Sequence, residues 1–472
     1  MSETGRRRWP RVLAAVFSCL VLVSTGLAAA GELAYNRFDR NITSIANNQD
    51  GVQTDLGGPV QGEPINILLM GSDTREGADA KGHGHASSIM GARSDTTILL
   101  HISGDRTRAL GVSIPRDSKV MLPTCTNKQG RVETGKVDRF NEAFDIGGPS
   151  CTVKAVEELT GVHVNHFVVV DFVGFKKVVD AIGGVDVCMT KPVNDPESKL
   201  KLNAGHTLVK GEQALAFVRA RYKLGDGSDI GRIDRQQEFI SSAIRKATSL
   251  GVISNPITLF NLLDSATQSI SADQGLANVD ALKDLAINVQ QIKPSDVTFT
   301  TVPWSQNSDK ATISWIPAKA NPIWQAIIND TQWPPKPSVG ADGKPLTVAP
   351  ANITVNVLNG TTTVGAATKA AATLRALGYN VQTVGNAPAP VTQTTISNTP
   401  AGESATRTLA AAVNTQTIVP VSGKTRVLTL TIGPDYQGAH SLVIATPKAK
   451  PPTASSTQGE VSIHAADTAT CS

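Results

Sequence analysis

The chain has 472 residues, too many for one compact core, so two domains with extensions are expected. Ordinary apolar content with 26 prolines and 40 glycines indicates a globular protein with long loops and at least one unstructured stretch. The formal net charge is +4, mostly from Arg6, Arg7, Arg8 and Arg11 against Glu3; the near-neutral remainder holds no basic domain, which argues against nucleic acid as a partner.

After the arginine cluster, Val12 to Gly31 runs for 20 residues without a charge. At about 1.5 Å per residue such a helix crosses a hydrocarbon core of roughly 30 Å. Arginines stay on the cytoplasmic side, so residues 1–11 read as a cytoplasmic tail, 12–31 as a transmembrane anchor and everything beyond as extracytoplasmic. Ala28-Ala29-Ala30 leaves a cleaved signal peptide as the alternative, and both readings export the protein. The polar stretch 32–63 reads as a stalk, which favours the retained, single-pass anchor. Cys19 lies in the membrane run, leaving Cys125, Cys151, Cys188 and Cys471 outside. Cys125 and Cys151 bracket a short loop and are the natural pair, because closing it stabilises an exported domain by about 3 kcal/mol. Cys188, in a strand-like run, fits a buried thiol, with the pairing of Cys188 and Cys471 left open, and no cysteines have the spacing of a zinc site.

Along the chain, Ile65–Met70 is a short buried strand that ends abruptly at Gly71-Ser72-Asp73. Thr96–Ile102 and Arg108–Ile114 are two strands joined by Gly104-Asp105-Arg106 as a hairpin. Pro149–Leu159 reads as a helix and Val164–Val170 as a strand; Phe172, Phe175, Val178, Val179 and Ile182 recur at helical spacing until Gly183-Gly184 stops them. Val185–Met189 is a strand, Gly211–Arg221 and Arg232–Ser249 are helices, and helical patterns continue to about Ile292. Strands follow near Val297–Val302 and Thr312–Ile316. Alternating strands and helices make 64–332 an α/β domain with a mixed central sheet flanked by helices. Trp333-Pro334-Pro335-Lys336-Pro337 opens a Pro-rich linker, 333–351. Residues 352–446 form a small α/β domain, with a strand at Ile353–Leu358, a turn at Asn359-Gly360, a helix at Val364–Leu377 and a strand at Tyr379–Val384. Residues 447–472 have the composition of a disordered tail.

Arginines of the first domain fall at element ends: Gly71-Ser72-Asp73-Thr74-Arg75, Arg93-Ser94-Asp95-Thr96, Ile114-Pro115-Arg116-Asp117, Arg219-Ala220-Arg221 and Gly231-Arg232-Ile233-Asp234-Arg235-Gln236. Arginines converging from separate elements repel unless an anion sits among them, and guanidinium forks bind phosphate oxygens bidentately, so a diphosphate is the natural guest. Asp73 and Asp95 are then placed to hold Mg²⁺, which takes one or two carboxylates plus phosphate oxygens. The bland alternative is a set of structural ion pairs, which describes most such residues taken singly and fits less well when five segments share the pattern.

At these segments the sequence resembles the LytR–CpsA–Psr family of cell-wall glycopolymer ligases. The matching stretches are Asn66–Arg75, Arg93–Thr96, Ser113–Asp117, Arg139–Phe144, Phe175–Val185, Gly211–Arg221 and Asp229–Gln237, in family order over roughly 64–240. The second domain is similar to the C-terminal domain of some actinobacterial members. The resemblance implies an Mg²⁺-dependent phosphotransferase that moves a glycan from a polyprenyl-diphosphate carrier onto peptidoglycan at the cell membrane. By that resemblance Asp73 and Asp95 match the magnesium-associated acids, and Arg93, Arg116, Arg219 and Arg221 the catalytic, diphosphate-binding arginines. Arg75 and Gln236 are further candidates, and Arg139 stands where many members have lysine, keeping the charge with a different geometry. The family's lipid groove makes Phe167, Phe172 and Phe175 candidate lining, an assignment that core packing explains equally well. His83 and His85, in a Gly-rich loop, read as surface residues and not as a metal pair. A lipid-diphosphate hydrolase and a non-catalytic wall-binding protein are the rival readings; no Ser-His-Asp or Cys-His nucleophile arrangement is visible.

Overall fold

The computed structural model describes residues 29, 31–45, 52, 54, 55, 60, 62–72, 94–127, 129–196, 198–220, 229–249, 254–445 and 463–465. The chain divides into two compact units, one of Met1–Thr331 with Thr453–Ser472 and one of Gln332–Pro452.

In the first unit, strands β1 (Thr43–Ile45), β2 (Ile65–Ser72), β3 (Ser94–Ile102) and β4 (Ala109–Ile114) precede helix α1 (Glu142–Thr160) and strand β5 (His166–Asp171). Helix α2 (Phe172–Ala181), the hairpin of β6 (Val185–Met189) and β7 (Gly205–Val209), and helices α3 (Gly211–Arg219) and α4 (Asp229–Ala247) follow. The unit continues with β8 (Ile270–Asp273), α5 (Val279–Val289), β9 (Val297–Thr301) and a hairpin of β10 (Trp304–Gln306) and β11 (Ile313–Trp315). The central sheet has eight strands: those named run β1-β8-β5-β2-β3-β4-β9, and Ile463–Ala465 adds an eighth, antiparallel to β9. β2, β4, β5 and β9 point one way, because β5 pairs parallel with β2 and β9 parallel with β4, while β3 lies antiparallel between β2 and β4. Their carboxyl ends, and the start of β3, therefore share one edge.

Period-2 alternation sets the two faces. Ile65, Ile67, Ile102, Ala109, Val168, Ala272, Val297 and Phe299 form one buried face, against which Ile240 and Ile244 of α4 and Leu282, Leu285 and Val289 of α5 pack. Gly111 is required there: a Cβ would sit 2.5 Å from the Phe299 ring. Leu68, Leu99, Val112 and Phe167, all fully buried, alternate to the other face. A separate core joins α2, α3 and α4 to the β6–β7 hairpin through Val179, Val185, Val187, Ala214, Phe217 and Phe239. Cys125 and Cys151 are disulfide-bonded, as expected from their spacing, with Cα atoms 5.7 Å apart. Cys188 is also disulfide-bonded, which corrects its reading as a thiol.

Other differences from the sequence reading have physical causes. Residues expected to form a stalk are built into the unit: 31–41 are helical, Phe38 and Ile42 are buried, Phe38 packs on Phe260, and β1 pairs with β8. The apolar spacing Tyr35, Phe38, Ile42 is that of a short amphipathic helix, hidden by its polar neighbours. β8 interrupts the helical pattern expected up to Ile292; its four residues are held by edge pairing on both sides, with Asp273 fully buried and accepting from the Phe167 N–H at 2.7 Å. Ile463–Ala465, within the tail expected to be disordered, is a strand because β9 offers a free edge. The expected membrane run falls outside the described residues apart from 29 and 31, and among the described residues no helix is long and apolar enough to cross a membrane.

The second unit has a five-stranded sheet, ordered Asn380–Asn386, Thr354–Asn359, Leu428–Ile432, Thr395–Asn398, Ile418–Pro420. Helices Ala366–Ala376 and Glu403–Ala412 bury Ala367, Ala370, Ala371, Leu374, Leu409 and Ala412 with Val355, Val357, Leu428 and Leu430.

The N-terminal helix is tied down by Arg37, which donates two hydrogen bonds to the Asp264 carboxylate at 2.7 and 2.8 Å. The Arg37 hydrogen bond is the main reason the Asp264 carboxyl lies below its ordinary range. A depressed carboxylate contributes fully above the ordinary Asp value of about 3.9, and the contribution is lost as pH falls through the lowered value. Asp264→Asn is therefore expected to reduce hydrogen-exchange protection of residues 31–41 at pH 7. The parent should retain that protection until acid titrates Asp264.

Candidate active site

The carboxyl edge of the central sheet collects the sequence-predicted residues. Asp95 is the second residue of β3, and Arg116 and Asp117 follow β4 after Pro115. Arg116 Nη1 donates to Asp95 Oδ1 at 2.5 Å, and Arg116 Nε lies 3.4 Å from Asp117 Oδ2. The other oxygen of Asp117 is 3.6 Å from Arg139 Nε. The charges form a row, Asp95–Arg116–Asp117–Arg139, in which the first three side chains are 26%, 18% and 22% exposed. That is enough contact with solvent to receive an anion while restricting rotamers.

Local structure holds the row in place. Arg139 ends the short strand Val137–Arg139, whose partner Lys119–Met121 follows the Arg116 loop. Phe140 N donates to Ser118 O at 2.8 Å and Asn141 N to Arg116 O at 3.2 Å, so the start of α1 fixes the loop backbone. From below, Trp315 Nε1 donates to Ser118 Oγ at 2.9 Å, and Ser118 Oγ donates to the Pro115 carbonyl at 2.7 Å.

Helix α4 brings the remaining groups. Gln236 accepts from Thr96 Oγ1 at 3.2 Å and donates through Nε2 to the Val218 carbonyl at 3.0 Å, joining β3 to the last turn of α3. Arg219, the next residue, is exposed, and its guanidinium lies 4.7 Å above the Phe172 ring, a cation–π placement that presents the charge without a carboxylate. Arg232, buried, donates to the Asp95 carbonyl at 3.2 Å, and Arg235 donates to the Ala220 carbonyl, where the chain leaves α3 in an extended conformation. Gln237 is fully buried and donates both to Ser113 Oγ at 2.8 Å and to Thr301 Oγ1 at 3.0 Å, fastening α4 across the ends of β4 and β9.

Of the predicted set, Asp95, Arg116, Arg139, Arg219 and Gln236 are thus brought into one bonded neighbourhood. Asp73, Arg75, Arg93 and Arg221 lie outside the described residues, as do His83 and His85. The phenylalanines separate: Phe167 is wholly buried core, Phe175 stacks on Phe239 at 5.4 Å, and only Phe172 touches the site, beneath Arg219. Asp117 and Arg232 were not assigned from the sequence. Both lie in the arginine-bearing segments, and Asp117 is marked only by being adjacent to Arg116, a signal that any surface ion pair also produces. Among the described residues no group of three or more His, Cys, Asp or Glu side chains gathers to hold a metal.

Residues 32–325, which contain every one of these groups, match the family model described as the LytR_cpsA_psr family. The chain belongs to the LytR–CpsA–Psr family. Residues 352–436 match a second model, described as LytR cell envelope-related transcriptional attenuator. Similar proteins include the cell wall biosynthesis protein LcpA of Corynebacterium glutamicum, 30% identical over 80% of this chain and 76% of that protein. The polyisoprenyl-teichoic acid–peptidoglycan teichoic acid transferase TagU of Enterococcus faecalis is 26% identical over 59% of this chain and 83% of its own. Among solved structures, the LytR-Csp2A-Psr enzyme from Actinomyces oris matches 58% of this chain and 94% of that one at 22% identity, with a TM-score of 0.44. The strand order of this LytR–CpsA–Psr domain is the mixed central sheet with flanking helices expected from its sequence.

Because Gln237 is the buried tie between α4 and the two strand ends, Gln237→Leu leaves the Ser113 and Thr301 hydroxyls short of a partner. The expected cost is about 1–3 kcal/mol, seen as a lower denaturant midpoint of the first unit.

Proposed function

We propose that this protein transfers a glycopolymer from a polyprenyl-diphosphate carrier to peptidoglycan, leaving one phosphate in the linkage. The observation that carries the reading is the Asp95–Arg116–Asp117–Arg139 row beside the exposed Arg219 at the strand ends. A row of alternating charges positions the guanidinium forks without a bound anion, and a diphosphate offers them more negative charge than single carboxylates do. The family membership and the transferase activity in the name of the TagU relative support the same reading.

In this reading Arg116, Arg139 and Arg219 grip the diphosphate oxygens, with Arg93 and Arg221 as further contributors. An acceptor hydroxyl of the peptidoglycan sugar attacks the phosphorus nearest the glycan. The new O–P bond forms as the bridging P–O bond breaks, the bond's electrons leave with polyprenyl phosphate, and the hydroxyl proton passes to Asp95 or Asp73. The arginines stabilise charge where it develops on the phosphoryl oxygens, and the protein does little covalent chemistry itself.

Mg²⁺ belongs to the proposal as well. Arg116 engages Asp95 through Oδ1, so Oδ2 of Asp95, with Asp73, would hold the ion. When bound, it neutralises diphosphate charge. A membrane anchor in 12–31 would keep the domain at the outer face where the lipid carrier resides, a placement with which the Cys125–Cys151 disulfide agrees.

The test is transfer from a short-chain prenyl-diphosphate glycan to a peptidoglycan oligosaccharide, read by product mass. Arg116→Ala and Arg219→Ala are each expected to slow transfer by about 10²–10³-fold with thermal unfolding close to the parent, and chelation of Mg²⁺ should stop it reversibly. Full activity in either variant contradicts the site assignment. Release of glycan phosphate without a joined product assigns the protein to hydrolysis.

A further inference from the structure

The helix at 31–41 and the helix Pro256–Thr267 form a pair in the first unit, and one end of the pair is apolar and open to water. The two helices run in the same direction. The Phe38 and Phe260 rings meet at 5.1 Å between centroids, and a turn further on Asn41 Nδ2 donates to Asp264 Oδ1 at 3.2 Å and to Thr267 Oγ1 at 3.3 Å. Residues preceding Phe38 and Phe260 therefore share one end. There Leu33 is 72% exposed and Ile257 74%, and the apolar side continues along the second helix through Phe260 and Leu263, 39% and 44% exposed. Asn255 Oδ1 accepts from the backbone N–H groups of Ile257 and Thr258 at 3.0 and 3.1 Å, so Ile257 is presented on a capped first turn. Large apolar side chains gathered in water mark an interaction surface.

The sequence beside this end names the partner. Helix 31–41 follows the uncharged run 12–31, and Leu33 stands two residues past the last glycine of that run, about 3 Å along a helix axis. A bilayer that holds the run also meets Leu33 and, through the parallel pairing, Ile257. The nearby charges are engaged already: Glu32 accepts from Asn36 at 3.0 Å, and Asp264 is held by Arg37. Attraction to the bilayer therefore comes from apolar burial and not from lipid charge.

The pair also leads to the arginine site. Helix Pro256–Thr267 packs against α2, whose first residue, Phe172, lies under Arg219. The strand after it, β8, begins with Ile270 opposite Val170, at the carboxyl edge of β5. We propose that Leu33, Ile257, Phe260 and Leu263 insert into the boundary between headgroups and acyl chains, as a second membrane contact beside the anchor. The inference rests on reading 12–31 as that anchor. An anchor alone leaves the domain free to swivel; the second contact fixes its tilt. The 12 residues of the helix span about 18 Å, so the sheet edge near Arg219 stays about that far from the bilayer, within reach of a lipid-linked diphosphate.

The test uses full-length protein, one copy per nanodisc, with lipids brominated on their acyl chains. Ile257→Trp, at a position too exposed to disturb the fold, should emit at shorter wavelength than tryptophan in water and be quenched by the bromines, after subtraction of the parent signal. Val132→Trp, 69% exposed in the same unit, should show neither effect. Failure of the full-length chain to float with lipid vesicles overturns the anchor reading, and the docking with it. A chain that floats with Ile257→Trp unquenched, or quenched no more than Val132→Trp, overturns the docking alone. A shifted but unquenched emission places protein against Ile257 and also overturns it.

Discussion

Arg116 is held between Asp95 and Asp117 at the point where parallel strands of a buried sheet end, and the rest of the site is arranged around that placement. Ion pairs as buried as these are weak evidence for stability, because the cost of taking the charges out of water offsets much of their mutual attraction. Stability therefore does not explain why two arginines and two aspartates meet in one row. Their positions do: Asp95 opens a strand, Arg116 and Asp117 are the second and third residues beyond one, and Arg139 closes another, so all four sit at strand ends where pairing fixes the backbone.

The supporting architecture is correspondingly rigid. Helix α4 is bolted to the strand ends by a buried glutamine and bridged to β3 and the last turn of α3 by a neighbouring one, so α4 is fixed relative to β3, β4 and α3. Beneath that loop, a tryptophan–serine–carbonyl chain from the β10–β11 hairpin resists its collapse. A loop-borne arginine held this way is closer to the precision of one on a helix or strand. Arg219 is presented differently, exposed and over an aromatic ring.

How much of this was legible in the sequence depends on the range of the interaction. β2, β3 and β4 were readable because each carries a short apolar, β-branched-rich stretch bounded by glycine, proline or charge. The arginines at element ends were readable as a group, since repeated charge beside apolar runs has few structural uses. What escaped was set by partners distant in sequence. Strand β8 exists because β1 and β5 flank it, Ile463–Ala465 because β9 has an open edge, and the helix at 31–41 because Phe260 and Asp264 receive Phe38 and Arg37. Asp117 and Arg232 escaped for the same reason: their roles lie in which arginine or carbonyl they meet.

The most direct measurement is a structure of the protein with a non-reacting prenyl diphosphate that carries a sugar. The account predicts diphosphate oxygens at hydrogen-bonding distance from Arg116 and Arg219, with Arg116 turned from Asp95 toward the phosphate. A diphosphate bound elsewhere, with Arg116 still on Asp95 and Arg219 touching no phosphate oxygen, would contradict it.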